Sequence, residues 1–262
     1  MDTPEVPNWV LEELAKMGVI LYPVEGFSVK DNSVSALFER GESSAPITNW
    51  SSDEIEEFLQ NSNNTEWICK TDLATILDVP LYFVIYEKNI ERFRLFEITN
   101  HGGHVRASDY RVFPSCSELA KWLSRLKGIQ VSKPFVEPGR LSNIDDCLRK
   151  HGVPWPGNLD GFILDKRRNS VSAIFEMSRT KKNPVKYHDL NRYYGEDINR
   201  WRPLDILRKQ TNSDMYVIIW SSEEEIVRLL KVKNLAPRLE WISDKTIGKE
   251  ELGEKVRETL NI

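Results

Sequence analysis

The chain has 262 residues and a formal net charge of −4, with 40% hydrophobic and 29% charged residues. That allows one large domain or two of roughly 130 residues, and no stretch approaches the ~20 apolar residues of a membrane span. The start, MDTPEVPNWVLEELAKMG, has neither a basic head nor an apolar run. It reads as no signal peptide, so the expectation is a cytoplasmic protein with no membrane partner. Cys69, Cys116 and Cys147 form an odd, widely spaced set without CxxC. That argues against a disulfide framework or a thiolate zinc site and suits a reducing compartment.

An amphipathic helix is predicted at WVLEELAKMGV (9–19). A hairpin follows, with GFSVK, a turn at Asp31-Asn32, and SVSALFE. SSDEIEEF (51–58) carries a serine cap pattern before acids and suits a helix N-terminus. A helix is expected around DLATIL (72–77). LYFVIY (81–86) is a continuous apolar run and reads as a buried central strand. A short turn then leads to RFRLFEI (92–98), and CSELAKWLSRLKGI is the closing helix. His101-Gly-Gly-His104 reads as a flexible loop after that strand rather than a metal pair, because no further ligand stands at a suitable spacing.

The same order then recurs. IDDCLRKHGV (144–153) matches the first helix, and DGFILDKRRNSVSAIFE (160–176) matches EGFSVKDNSVSALFE (25–39). The inner blocks NSVSALFE and NSVSAIFE differ at one position. Trp201 falls against Trp67, MYVIIW (215–220) against LYFVIY, and KEELGEKVRETLNI against the first closing helix. The chain therefore reads as two tandem homologous repeats. The expected domains are residues 1–131, a linker at 132–140 with two prolines, and residues 141–262. The expected class is α/β, each repeat being a helix–hairpin–helix–strand core whose mixed sheet is flanked by helices.

Charge divides the repeats. Residues 1–131 hold 12 Lys+Arg and 20 Asp+Glu, whereas residues 132–262 hold 24 and 20. Residues 30–78 carry a net −7 and residues 166–209 a net +7. Lys166, Arg167, Arg168, Lys182, Lys186, Arg192, Arg200 and Arg202 are the candidate nucleic-acid contacts, interleaved with Tyr187, Tyr193, Tyr194 and Trp201. Cations neutralise phosphates, and rings offer faces to unstacked bases. The acidic first repeat repels a phosphate backbone and suits a basic protein partner, with a solvated helix as the plainer use of 51–58. No GxxxxGK[ST], GxGxxG or GxSxG motif supports a nucleotide cradle or a serine hydrolase.

The element order, with Asp160 opening one hairpin strand and Glu176 ending the next, resembles the core of the PD-(D/E)xK, or restriction-endonuclease-like, nuclease superfamily. The resemblance covers the core of each repeat. It implies a metal-dependent nuclease in which Asp160 and Glu176 hold Mg2+ or Mn2+, acting on DNA more than RNA. The family lysine falls at position 178, where this chain has Ser178, so Arg179 and Lys181 are the candidates for its phosphate-stabilising role. In the first repeat Glu25 and Glu39 hold the acid positions, but Gly41 stands where the lysine belongs and none follows until Lys70. The first repeat is therefore expected to be non-catalytic. The alternative for the whole chain is an inactive nuclease-like scaffold that binds nucleic acid, a protein, or both.

Overall fold

The computed structural model describes residues 6–87, 92–127, 143–181, 184–235 and 238–260, apart from the side chains of 143 and 193–199. The expected linker at 132–140 and Lys182 lie outside these residues. The protein is α/β, with helices flanking mixed sheet. It folds as two compact units, residues 24–158 and residues 1–23 with 159–262.

In the unit of residues 24–158, β1 (Tyr22–Lys30) and β2 (Ser33–Ser43) form an antiparallel hairpin. Its turn puts Asp31 and Asn32 at φ 52° and 63°. Short polar side chains tolerate that left-handed region, and two such residues give a turn whose twist matches the strands. The helix α2 (Ser52–Leu77) then carries the chain across to β3 (Leu81–Glu87), which pairs parallel with β2. Ser51 caps α2: its side chain accepts from the Glu54 N–H, and the Glu54 carboxylate accepts from the Ser51 N–H. The helical path breaks once, at Asn63. The strands β4 (Phe93–His101) and β5 (His104–Phe113) complete the order β1-β2-β3-β4-β5. His101 and His104 pair across the β4–β5 turn, with Gly102 and Gly103 at positive φ between them. The expected loop is thus a hairpin turn, and the strand after it is one that the sequence pattern did not reveal.

Alternate residues of these strands face two layers. Phe38, Tyr82, Val84 and Leu95 pack with Leu119 and Leu123 of α3 (Cys116–Lys127) and Ile144 and Leu148 of α4 (Asn143–Lys150). On the other side Phe83 meets Phe58 and Trp67 of α2. Cys116 and Cys147 form a disulfide between α3 and α4, with Cα atoms 5.7 Å apart. This corrects the expectation of no disulfide framework: the two lie 31 positions apart in sequence, but the helices that carry them pack side by side.

The other unit repeats the order. The strands β6 (Gly157–Asp165) and β7 (Ser170–Arg179) form the hairpin, and α5 (Tyr194–Thr211) crosses to β8 (Asp214–Trp220), parallel to β7. Then β9 (Ile226–Asn234) and β10 (Glu240–Gly248) close the order β6-β7-β8-β9-β10. NSVSALFE and NSVSAIFE each run from the hairpin turn into its second strand. Each hairpin also has a register irregularity, between Ser28 and Val29 in one and between Ile163 and Leu164 in the other.

The units do not follow the boundaries expected at 131 and 141. The leading helix α1 (Asn8–Lys16) buries Val10 and Leu14 against Phe175, Tyr216 and Val256, beside α6 (Leu252–Leu260). The second leading helix, α4, belongs instead to the unit of residues 24–158. Each apolar helix stripe is buried on the sheet coded by the other half of the sequence, and adjacency along the chain does not reveal that.

Two outcomes follow from this packing. A fragment of residues 24–158 should unfold cooperatively in urea, whereas residues 1–131, lacking Ile144 and Leu148, should give no cooperative transition under the same conditions. A Cβ at Gly253 would stand 2.1 Å from the Glu13 carbonyl oxygen, so α1 and α6 cross with no room for a side chain. Gly253→Ala should cost the intact chain about 1–3 kcal/mol by urea denaturation, as overpacked cores do.

Candidate functional site

The hairpin strands bring Asp160 and Glu176 into one buried site, 3% and 2% exposed. Asp160 stands one residue before the first β6–β7 pair, Gly161 with Phe175, and its Oδ2 accepts the Met177 N–H at 2.6 Å. Glu176 points to the α5 side. There Arg200 donates through Nε to Glu176 Oε1 at 2.5 Å, and through Nη2 to the Met177 carbonyl at 2.9 Å. The Arg200 guanidinium also lies 5.2 Å from the centre of the Trp201 ring. Oε2 of Glu176 is buried without a hydrogen-bond partner. Burial, and then the neighbouring Asp160, push the Glu176 carboxyl up to about 8, against the opposing pull of Arg200.

The equivalent place in the other unit is wired alike. Glu25 Oε2 accepts the Arg40 N–H at 3.1 Å, and Glu39 Oε1 accepts the Glu25 N–H at 3.2 Å. A cation again comes from the helix: Lys70 Nζ is 2.9 Å from Glu39 Oε2 and 2.7 Å from Glu66 Oε1, above the Trp67 ring. Burial, and then Glu25, push Glu39 up to about 7, with Lys70 pulling the other way. Burial pulls Lys70 down, but Glu39 and Glu66 together outweigh it and hold the ammonium above its usual range. Lys70 was the residue that sequence reasoning passed over. The available signal was Glu66 four residues before it on one helix face, which marks a cation already partnered.

The candidate lysine substitutes are not gathered here. Side chains alternate along a strand, so Ser178 shares the face of Glu176 while Arg179 takes the other. Arg179 is exposed, donates to Ser222 Oγ at 3.0 Å and lies over Trp220. Lys181 is exposed beyond the end of β7. In the first repeat the equivalent position is closed outright. A Cβ on Gly41 would come within 2.7 Å of the Phe83 ring, so no side chain fits there without displacing that ring.

The basic segment divides in three. Arg200 is drawn to Glu176, and Arg208 and Lys209 both pair with Asp205. Lys166, Arg167 and Arg168 are exposed at the β6–β7 turn, with Arg168 3.5 Å from Asp165. Lys181 and Lys186 are exposed beyond the other end of β7, where Tyr187 is 72% exposed, while Arg192 and Arg202 are exposed farther along the chain, Arg202 on α5. The ten residues of β7 put about 30 Å, at ~3.3 Å per residue, between the turn cations and Lys181.

The residues present do not fit a divalent cation of the kind the nuclease resemblance implies. Mg2+ and Mn2+ seek about six oxygen ligands, and here a guanidinium already sits on Glu176 while a backbone N–H takes Asp160 Oδ2. No group of three or more His, Cys, Asp or Glu suited to a metal ion occurs among the described residues. No helix among them is long and apolar enough to cross a membrane.

No family model matches this chain, and no curated protein matches it. Among solved structures it is similar to the crystal structure of the Sex pheromone staph-cAM373 precursor, at 13% identity over 94% of this chain and 83% of that one. The TM-score is 0.21, too low to bear on the fold.

The raised Glu176 carboxyl makes the stability depend on pH. An acid whose pKa rises on folding stabilises fully below its ordinary value, 4.5, and loses that contribution as pH climbs through about 8. The stability of Glu176→Gln relative to the parent chain should therefore increase across that interval in urea melts. Carbon-13 NMR should show Glu176 titrating above 4.5, and higher again in Arg200→Ala, which removes a positive group that pulls it down.

Proposed function

We propose that the chain is a tandem duplication of a restriction-endonuclease-like unit that binds nucleic acid, DNA before RNA, without cleaving it. The observation that carries this is the Arg200–Glu176 ion pair: the position where a nuclease would hold its cation carries a positive side chain instead. Three features support descent from one unit. The near-identical octapeptides lie in equivalent strands, the hairpins share a register irregularity, and both acid pairs have the same backbone wiring.

The binding surface centres on exposed Lys181, Lys186 and Tyr187, which offer charge for phosphates and a ring for an unstacked base, with exposed Arg192 and Arg202 as further cations of the same half. Lys166, Arg167 and Arg168 form a second contact along the same strand direction. Lys182 belongs by sequence to the first group. The acidic first repeat is left for a protein partner. The proposed compartment is the cytoplasm. Its thiol pool would hold Cys116 and Cys147 reduced, leaving the α3–α4 contact to Leu119, Ile144 and Leu148.

Hydrolysis with Mg2+ or Mn2+ is the second reading. One observation favours it: Glu176 Oε2 is buried and lacks a donor. In that reading Asp160 and Glu176 hold the metal, and Arg179 or Lys181 faces the phosphate, which requires Arg200 to leave Glu176.

Fluorescence anisotropy with labelled single-stranded and duplex DNA tests both. Lys181→Glu with Lys186→Glu should weaken binding at least about tenfold and flatten the log–log salt slope by about 0.9 per lost duplex phosphate contact. Asp53→Lys with Glu57→Lys should not weaken it. Unchanged affinity in the first double variant would remove the basic surface from the proposal. The parent chain and Arg200→Ala should leave DNA and RNA intact with either metal. Cleavage that Glu176→Gln abolishes would establish the hydrolytic reading instead.

A further inference from the structure

The segment between Arg40 and Lys70 contains six carboxylates and no Lys or Arg. Three of the six are engaged: Glu56 pairs with Arg106, Glu66 with Lys70, and Glu54 accepts the Ser51 N–H in the helix cap. Glu42, Asp53 and Glu57 are exposed. Beside them lies a groove of about 550 Å³ lined by Ala45, Asn49, Trp50, Glu54, Glu57 and Phe58. Its floor is aromatic and held in place. Trp50 Nε1 donates to Ser43 Oγ at 2.9 Å, and the indole meets Phe58 edge-on with centroids 5.6 Å apart. Phe58 rests on the buried Phe83, yet it remains 43% exposed.

Glu54, Glu57 and Phe58 share one face of α2, since residues three and four apart on a helix are neighbours. The nearby helix N-terminus is no anion site. Ser51 and Glu54 already satisfy its N–H groups through the reciprocal cap, and hydrogen bonding from Ser51 holds Glu54 below the usual carboxylate range. The groove thus presents ring surface with fixed negative charge at its edge. An ammonium would satisfy the charge, but a guanidinium also lies flat on an aromatic ring and donates two parallel hydrogen bonds to a carboxylate.

We propose that this groove binds an arginine-bearing basic peptide segment of a partner protein, with one guanidinium on the Trp50–Phe58 rings and its N–H groups directed to Glu57. The inference rests on reading the acidic first repeat as a protein-binding unit. It does not depend on the second repeat binding nucleic acid, because the residues involved are different.

The test uses the full chain and a fluorescein-labelled hexapeptide of alternating glycine and arginine, with lysine and citrulline counterparts, read by anisotropy. The arginine peptide should bind saturably and more tightly than the lysine peptide, and the citrulline peptide should not bind. Phe58→Ala should weaken the arginine peptide about three- to tenfold, the range of a cation–π contact. Glu57→Gln, a surface change with no packing consequence, should weaken it similarly. Glu118→Gln, an exposed acid on α3, should leave it unchanged.

Equal affinity in Phe58→Ala, with its far-UV spectrum and melt intact, would overturn the groove. An equal loss in Glu118→Gln would show diffuse attraction to an acidic surface and overturn it too. Concentration-dependent self-association that Phe58→Ala abolishes would make the occupant a second copy of this chain and refute the partner-peptide proposal. Failure here with nucleic-acid binding intact would leave the reading of the second repeat standing.

Discussion

A carboxylate buried on the second strand of each hairpin is the constraint on which the rest depends. Removing a charged carboxylate from water costs several kcal/mol unless a partner answers it. Each unit answers in the same two ways. A basic side chain reaches the acid from the crossing helix, Lys70 from α2 or Arg200 from α5. The acid on the first strand accepts the backbone N–H just after the buried glutamate. The crossing helix is thus committed to one face of the sheet, and a tryptophan ring lies under each cation. The two solutions differ in detail: the lysine follows its tryptophan by three residues, and the arginine precedes its own by one. A positive group thus meets the buried acid in both units, although its position along the helix differs.

The same neutralisation sets the limits of the chemistry. A hydrolytic metal site needs carboxylate oxygens that face a solvated opening and are free to take a cation. Here Glu39, Asp160 and Glu176 are buried, and Lys70, the Met177 N–H and Arg200 respectively take up an oxygen of each. The exposed charge of the two halves differs in sign. The first repeat shows carboxylates beside an aromatic groove, and the second shows cations beside Tyr187. Opposite charge on equivalent segments would keep both from engaging one polyanion, because electrostatic complementarity selects partners more strongly than it adds affinity.

Much of the core was legible in the residues. Asp31-Asn32 announced a tight turn, and the runs LYFVIY and MYVIIW announced central strands buried on both faces. The strands β5 and β10 were not legible. As edge strands they bury few side chains, so HVRASDYRVF and EWISDKTIG show little of the alternation that marks a half-buried strand. The acid pairing of Asp160 with Glu176 was readable from hairpin register, and their depth of burial was not. The placement of Arg179 could have been read. It stands three residues from Glu176, an odd number, so a continuous strand must turn it to the opposite face. Partners far apart in sequence, such as Glu39 with Lys70 and Cys116 with Cys147, depend on how helices pack after the strands are set, and no local pattern encodes that.

The exchange of leading helices makes each half of the chain depend on the other for its core. Val10 and Leu14 of α1 cover apolar residues of β7, β8 and β9, while Ile144 and Leu148 of α4 cover residues of β2, β3 and β4. Each sheet is therefore completed by a helix that lies, along the chain, with the other repeat. Deleting either copy at its sequence boundary would strip a helix from the survivor and expose a face built from Phe, Tyr, Leu and Val side chains. A patch of that kind invites aggregation. The core therefore constrains both halves together, whereas their exposed charge, opposite in sign, is free of that constraint.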